Sequence, residues 1–234
     1  MTPETVEIAG VRIPIDPAIM SDKIQQQLRA GRWEDGETAV LPTIVAAGDR
    51  VIDLGAGIGF LAAFIGLLRK AELIVAVEAN PELMPLIGAL AGLNGVEIEA
   101  LNALVAIETT SPTHPFYLHN DLWASSPIRI KDSSLRGVVE LPVTTLEALA
   151  AEFSPTLMII DLEVMRGFLA DGAAVARTRL GAANLPGVTR ILAELKPTRF
   201  TPAEVQAIFD GLSNAGFGYD PGLSRSELVV FSRV

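Results

Sequence analysis

An open, doubly wound α/β sheet, mostly parallel, with helices on both faces and a C-terminal antiparallel strand, is the fold class this sequence predicts. Three observations lead there. Short runs that are apolar throughout, such as "RVIDLG" at 50–55 and "LIVAVEAN" at 73–80, recur along the chain. Runs of that kind are strands covered on both faces rather than on one. Helix-length segments separate them, as right-handed crossovers between parallel strands require. Three glycines, Gly55, Gly57 and Gly59, directly follow the first of these strands, where a strand-to-helix turn needs positive φ and close approach of backbone.

The elements follow in order. "VEIAGVRIPI" reads as a small hairpin turning at Ala9-Gly10, because apolar residues alternate on either side. "SDKIQQQLRAG" reads as a short helix with Ser21 or Asp22 as cap and Gly31 at its stop. Residues 37–47 read as a second helix that carries one proline. The βα rhythm then begins: strand "RVIDLG", helix "GFLAAFIGLLRKA", strand "LIVAVEAN", helix "PELMPLIGALAGLNG" and strand "VEIEAL". "TLMIIDLE" and "TRILAELKP" supply the fourth and fifth strands, "TPAEVQAIFDGLSNAGF" a helix, and "SELVVFSRV" the closing strand. With no repeat, low-complexity tract or linker, residues 1–234 read as one domain. The hairpin and helices of 1–47 precede a core at 48–234.

Composition sets the bounds. Hydrophobic residues make up 50% of the 234 and charged residues 20%, the balance of a globular chain. There is no cysteine, which excludes disulfides, thiol catalysis and cysteine-bound zinc. No uninterrupted apolar run is long enough for a membrane span, and the start of the chain lacks the basic and apolar stretches of a signal peptide. A cytoplasmic location is expected. The formal net charge of -10 and the lack of a basic stripe lead to the expectation of no nucleic-acid partner.

Asp53, Glu78, Asp161 and Glu194 all fall at or near predicted strand ends, the rim on which open α/β sheets bind ligands. The glycine spacing discriminates among ligands. A dinucleotide turn places its third glycine three residues after the second, and here Phe60 stands there. The Lys-Ser/Thr of a phosphate-binding P-loop is also missing. Glu78 can accept hydrogen bonds from both hydroxyls of a ribose, or cap the helix that follows. Asn102, in "LNA", can donate to and accept from an adenine edge, or bond its own turn.

Asp53 with its glycine turn, Glu78 and "LNA" resemble the cofactor half of the Rossmann-like S-adenosylmethionine-dependent methyltransferases. "GDRVIDLGAGIGF" at 48–60, "VAVEANPEL" at 75–83, "LPVTTLEAL" at 141–149 and "LMIIDLE" at 157–163 are similar in order and spacing to the FkbM family. The resemblance implies S-adenosylmethionine as cofactor, held by Asp53, Gly55, Gly57, Gly59, Phe60, Glu78 and Asn102. It also implies methyl transfer to a hydroxyl of a small molecule or sugar. Such a transfer is an in-line displacement that needs a base for the hydroxyl proton. Asp161, Glu163 and His119 are the candidates, with a helix cap as the alternative for Asp161 and a surface position for His119. No metal is implied. The family carries asparagine at the position of Gly57. Val164 and Arg166 stand where it has glycine and glutamate. Two other readings remain: a methyltransferase-fold protein that has lost catalysis and serves as a binding or assembly partner, and a nicotinamide-dependent oxidoreductase.

Overall fold

A computed structural model describes residues 4–106, 109, 111–120, 125–129, 134–161, 184–196 and 200–234. Glu163, Val164 and Arg166 lie outside these residues. The elements in chain order are β1 (Thr5–Ile8), β2 (Val11–Pro14), α1 (Asp22–Arg29), α2 (Asp35–Ile44), β3 (Arg50–Leu54), α3 (Phe60–Leu67), β4 (Leu73–Glu78), α4 (Met84–Asn94), β5 (Glu99–Asn102), β6 (Leu104–Ala106), β7 (Thr113–His119), β8 (Leu135–Thr145), α5 (Leu146–Phe153), β9 (Leu157–Asp161), β10 (Arg190–Glu194), α6 (Pro202–Asn214), β11 (Phe217–Tyr219) and β12 (Leu228–Arg233).

The main sheet has seven strands in the order β11-β12-β10-β9-β3-β4-β5. The pairs from β10 to β5 are parallel, and β12 runs antiparallel to both β10 and β11. The expected mostly parallel sheet with an antiparallel C-terminal strand is therefore present, with β11 as an additional edge. Successive strand residues feed opposite faces, as the period of two demands. Val51, Ile74, Ala76, Leu157, Ile159 and Leu192 pack with α1 to α4 and the hairpin. Ile52, Val75, Val77, Met158, Ile160 and Ile191 pack with α5 and α6. Strands covered on both sides have no polar face, which is why they read as continuous apolar runs.

Polar side chains fix the parts that this burial leaves free. Asn94, at the end of α4, accepts from the Arg12 N–H at 2.8 Å and donates to the Arg12 carbonyl at 2.8 Å, mimicking a strand pair and locking the hairpin on the helix. At the amino ends of the strands, buried Asp49 accepts from Thr156 Oγ1 and from Arg190 Nη2, each at 2.6 Å. That joins β3, β9 and β10 below the rim.

A second, three-stranded sheet, β6-β8-β7, lies between β5 and α5 in the chain. The sequence reading names no strand between "VEIEAL" and "TLMIIDLE". The β8 strand alternates largely between exposed and half-buried residues and contains Gly137 and Pro142. Its apolar signal is too diluted to register as a buried strand. The expected surface position of His119 is also corrected. The residue is fully buried at the end of β7, with Nδ1 2.8 Å from Ser134 Oγ. Among the described residues, no helix is long and apolar enough to cross a membrane.

Candidate functional site

The glycine turn is built by the backbone. Gly55, Gly57 and Gly59 have φ of +83°, +56° and +83°, values that L side chains rarely adopt. The Gly55 and Ala56 N–H groups both donate to the Val77 carbonyl, at 2.9 and 3.1 Å, which bends the chain over the end of β4. The three glycines then serve different ends. A Cβ on Gly59 would meet Ile87 Cγ2 at 3.1 Å, so that glycine lets α3 pack on α4. A Cβ on Gly57 would meet no protein atom within 4 Å: its outer face is open space. Phe60 opens α3 and its side chain is buried in the core.

Glu78 ends β4 and braces this turn. One carboxylate oxygen accepts from the Gly57 N–H at 2.8 Å and the other from the Asn80 N–H at 2.7 Å. A carboxylate has about four acceptor positions; the Gly57, Ala79 and Asn80 N–H groups all lie against this one, which leaves a position for a ligand. Asn102 stands directly opposite Glu78 in the β4–β5 register. Its amide nitrogen donates to the Glu78 and Ala79 carbonyls at 2.8 and 2.9 Å. The expectation that this amide both donates to and accepts from a base is thereby narrowed: its two N–H bonds are taken, and Oδ1 remains as an acceptor.

Across the rim, Asp53 is almost wholly buried, and its Oδ2 has no hydrogen-bond partner among the described residues. Burial, followed by the nearby Glu78, Asp161 and Glu37 carboxylates, pushes its pKa up to about 7. Burial also pushes Glu78 up to about 7, against the N–H groups it accepts from. Asp161 ends β9 opposite Glu194 at the end of β10. Burial raises Glu194 against the opposing pull of Lys196, with which it forms an ion pair at 2.8 Å.

Two members of this group escape the sequence reading. Glu34 is the left-handed N-cap of α2, at φ +51°, and Glu37 is buried in that helix's first turn. Burial, then Glu37, Glu194 and Asp53, push Glu34 up to about 8. Burial raises Glu37 as well. A signal was available: Glu37 shares the i, i+3, i+4, i+7 stripe with Val40, Leu41 and Ile44, so an acid sits on the buried face.

Carboxyls raised this way hold protons in the folded chain at pH values where the unfolded chain has already lost them. Folded stability must then fall as pH rises from the ordinary carboxylate range to about 8. One pKa unit corresponds to about 1.4 kcal/mol, and a domain of this size loses about 2–4 °C per kcal/mol. The melting temperature of the protein alone is expected to drop by about 5 °C or more between pH 5.5 and 8.5. Glu34→Gln should flatten that slope. A melting temperature that stays constant or rises over this range would contradict the buried-acid arrangement.

His119 belongs to the small sheet. Ser134 holds its ring, and its carbonyl accepts from Arg136 Nε at 3.1 Å. Arg136 in turn pairs with Glu82. The fully buried ring presents no exposed edge of its own.

Residues 10–111 match the model of the TRM5/TYW2 methyltransferase domain. No curated protein matches the chain. Among solved structures, TYW2 from M. jannaschii in complex with AdoMet is similar at 14% identity and a TM-score of 0.52, over 100% of this chain and 88% of that one. A TehB-like SAM-dependent methyltransferase from Corynebacterium glutamicum is similar at 12% identity and a TM-score of 0.52, over 91% and 95%. Trm5b from Pyrococcus abyssi is 13% identical with a TM-score of 0.49, and the chain spans 55% of its length. The methyltransferase resemblance and the expected cofactor accord with these relatives, one of which holds AdoMet. The family model that matches is not that of the FkbM enzymes. The expectation of no nucleic-acid partner is contradicted by the match to the TRM5/TYW2 domain, whose namesakes are tRNA methyltransferases. The seven-stranded sheet and its glycine turn give this chain the Rossmann-like fold of the methyltransferases.

Proposed function

We propose that the chain is an S-adenosylmethionine-dependent methyltransferase of one domain, acting on a tRNA nucleotide. The observation that supports this most is that the matched stretch, 10–111, contains the glycine turn, Glu78 and Asn102 together. The residues suit the cofactor. Gly57 leaves open space over the turn, Glu78 keeps an acceptor position for a ribose hydroxyl, and Asn102 Oδ1 can accept from an adenine amino group. The bound cofactor supplies a methyl group on a positively charged sulfur, ready for in-line displacement. The protein's part is to align the acceptor and exclude water. Asp161, at the neighbouring strand end, orients the acceptor and takes or holds its proton. Glu163 follows two residues later as a further candidate.

A second reading, O-methylation of a hydroxyl on a small molecule or sugar, is favoured by the net charge of -10 and the acid-lined rim. One experiment separates the readings. The purified chain is incubated with methyl-labelled S-adenosylmethionine and either bulk tRNA or a panel of hydroxyl compounds. Label in tRNA supports the first reading, and label in a hydroxyl compound the second. Label in neither, with the cofactor still bound, supports the non-catalytic alternative.

Glu78→Ala is expected to weaken S-adenosylmethionine about 10- to 100-fold, because buried hydroxyls lose a charged acceptor. Glu78→Gln, which keeps one acceptor oxygen, should lose less. Calorimetry showing unchanged affinity in Glu78→Ala, with the fold intact, would remove Glu78 from the site.

A further inference from the structure

We propose that Glu34 and Glu37, together with Asp53, Asp161 and Glu194, make the rim charge-selective, so that it binds the positively charged sulfonium cofactor in preference to the neutral thioether left after methyl transfer. This rests on the reading above that the rim takes S-adenosylmethionine. Sheet order sets the direction in which the ligand lies. With the nucleoside on β4 and β5, at Glu78 and Asn102, the sulfur end extends over the glycine turn toward β3, β9 and β10. Neighbouring strands are about 4.8 Å apart, so that end reaches the carboxyl ends carrying Asp53, Asp161 and Glu194.

The N-terminus of α2 covers the same edge: a Cβ on Gly36 would meet Leu228 Cδ1 at 2.9 Å, and Leu228 stands opposite Glu194 in the β10–β12 register. Glu34 interacts there with Glu37, Glu194 and Asp53, and Glu37 with Lys196 and Glu227. Five carboxyls thus face one region, and Glu227 lies at its border. Lys196 is the cation that acts on Glu37 and Glu194, and it is ion-paired with Glu194.

An excess of buried carboxyls is costly unless a positive charge arrives. Independently of the cluster, the almost wholly buried Asp53 has an oxygen without a hydrogen-bond partner among the described residues, and it is coupled to Asp161 and Glu37. An organic cation suits such a rim. S-adenosylmethionine and its thioether product share the same ammonium and carboxylate and differ at sulfur by one positive charge. Partly buried carboxylates act strongly enough on a cation held among them to give a tenfold preference.

The test is calorimetric titration of the wild-type chain and of the Glu34→Gln, Glu37→Gln double variant with three probes. These are S-adenosylmethionine, S-adenosylhomocysteine, and sinefungin, which carries an ammonium in place of the methylated sulfur. The wild type should bind both cationic probes at least about tenfold tighter than the thioether. The double variant should bring the three within about twofold by weakening the cations alone, leaving the thioether within about threefold. Gln matches the shape of Glu and cannot become a carboxylate when a cation arrives. Glu34→Gln alone serves as a second variant, and circular dichroism checks both folds. A wild type that binds the thioether as tightly as the cations, or a ratio unchanged in the folded variants, overturns the proposal and leaves the cofactor reading standing. Failure of all three probes to bind the wild type overturns the cofactor reading itself.

Discussion

Replacing Gly57 with valine is expected to abolish S-adenosylmethionine binding, with a loss of about 100-fold or more, nearly 3 kcal/mol, while the chain stays folded. Gly57 sits at φ +56°, and a Cβ there meets no heavy atom within 4 Å. The protein therefore has room for the side chain. The folded state pays roughly 1–2 kcal/mol for the left-handed backbone. The ligand has no such room, because valine would project its methyls into the space over the turn. Gly59→Ala should behave in the opposite way. Its Cβ would press on Ile87 at 3.1 Å, lowering the melting temperature more than the affinity. Calorimetry and thermal unfolding on both variants distinguish the two roles. Wild-type affinity in a folded Gly57→Val variant would move the cofactor away from this turn.

Asp161→Asn is the second large effect. Asp161 ends β9 opposite Glu194 and acts on both Asp53 and Glu78. A carboxylate that orients the acceptor or accepts its proton should cost about 10²-fold or more in turnover when made neutral. Cofactor affinity should change little, because the nucleoside contacts lie on β4 and β5. If Asp161 only caps the chain that follows, stability should fall by roughly 1 kcal/mol and turnover should persist. Turnover within threefold of the wild type, measured with whichever acceptor takes the label, excludes the catalytic role.

The parallel core was legible because burial on both faces leaves no ambiguity of period. Val51-Ile52, Ile74-Val75 and Leu157-Met158 each send one residue to either core. The small sheet was not legible, because in β8 only Leu141 is fully buried and the Val139, Leu141 and Val143 alternation that packs it is short and interrupted by Pro142. At the site, the glycines and Glu78 could be singled out from position alone. Their division of labour could not: Gly59 packs against Ile87, and Gly57 faces open space, a difference that only spatial neighbours decide. Asn102 looked free to read a base because its bonds to the Glu78 and Ala79 carbonyls cross strands. Glu34 and Glu37 were missed because a helix N-terminus normally favours exposed acids, so acids there carry no signal of a site.

Titration of the wild-type chain with S-adenosylmethionine in a calorimeter tests the central claim most directly. The account predicts saturable binding of one cofactor per chain with micromolar affinity, lost in the Gly57→Val variant. The absence of saturable heat up to millimolar cofactor, or equal binding by that variant, would contradict it.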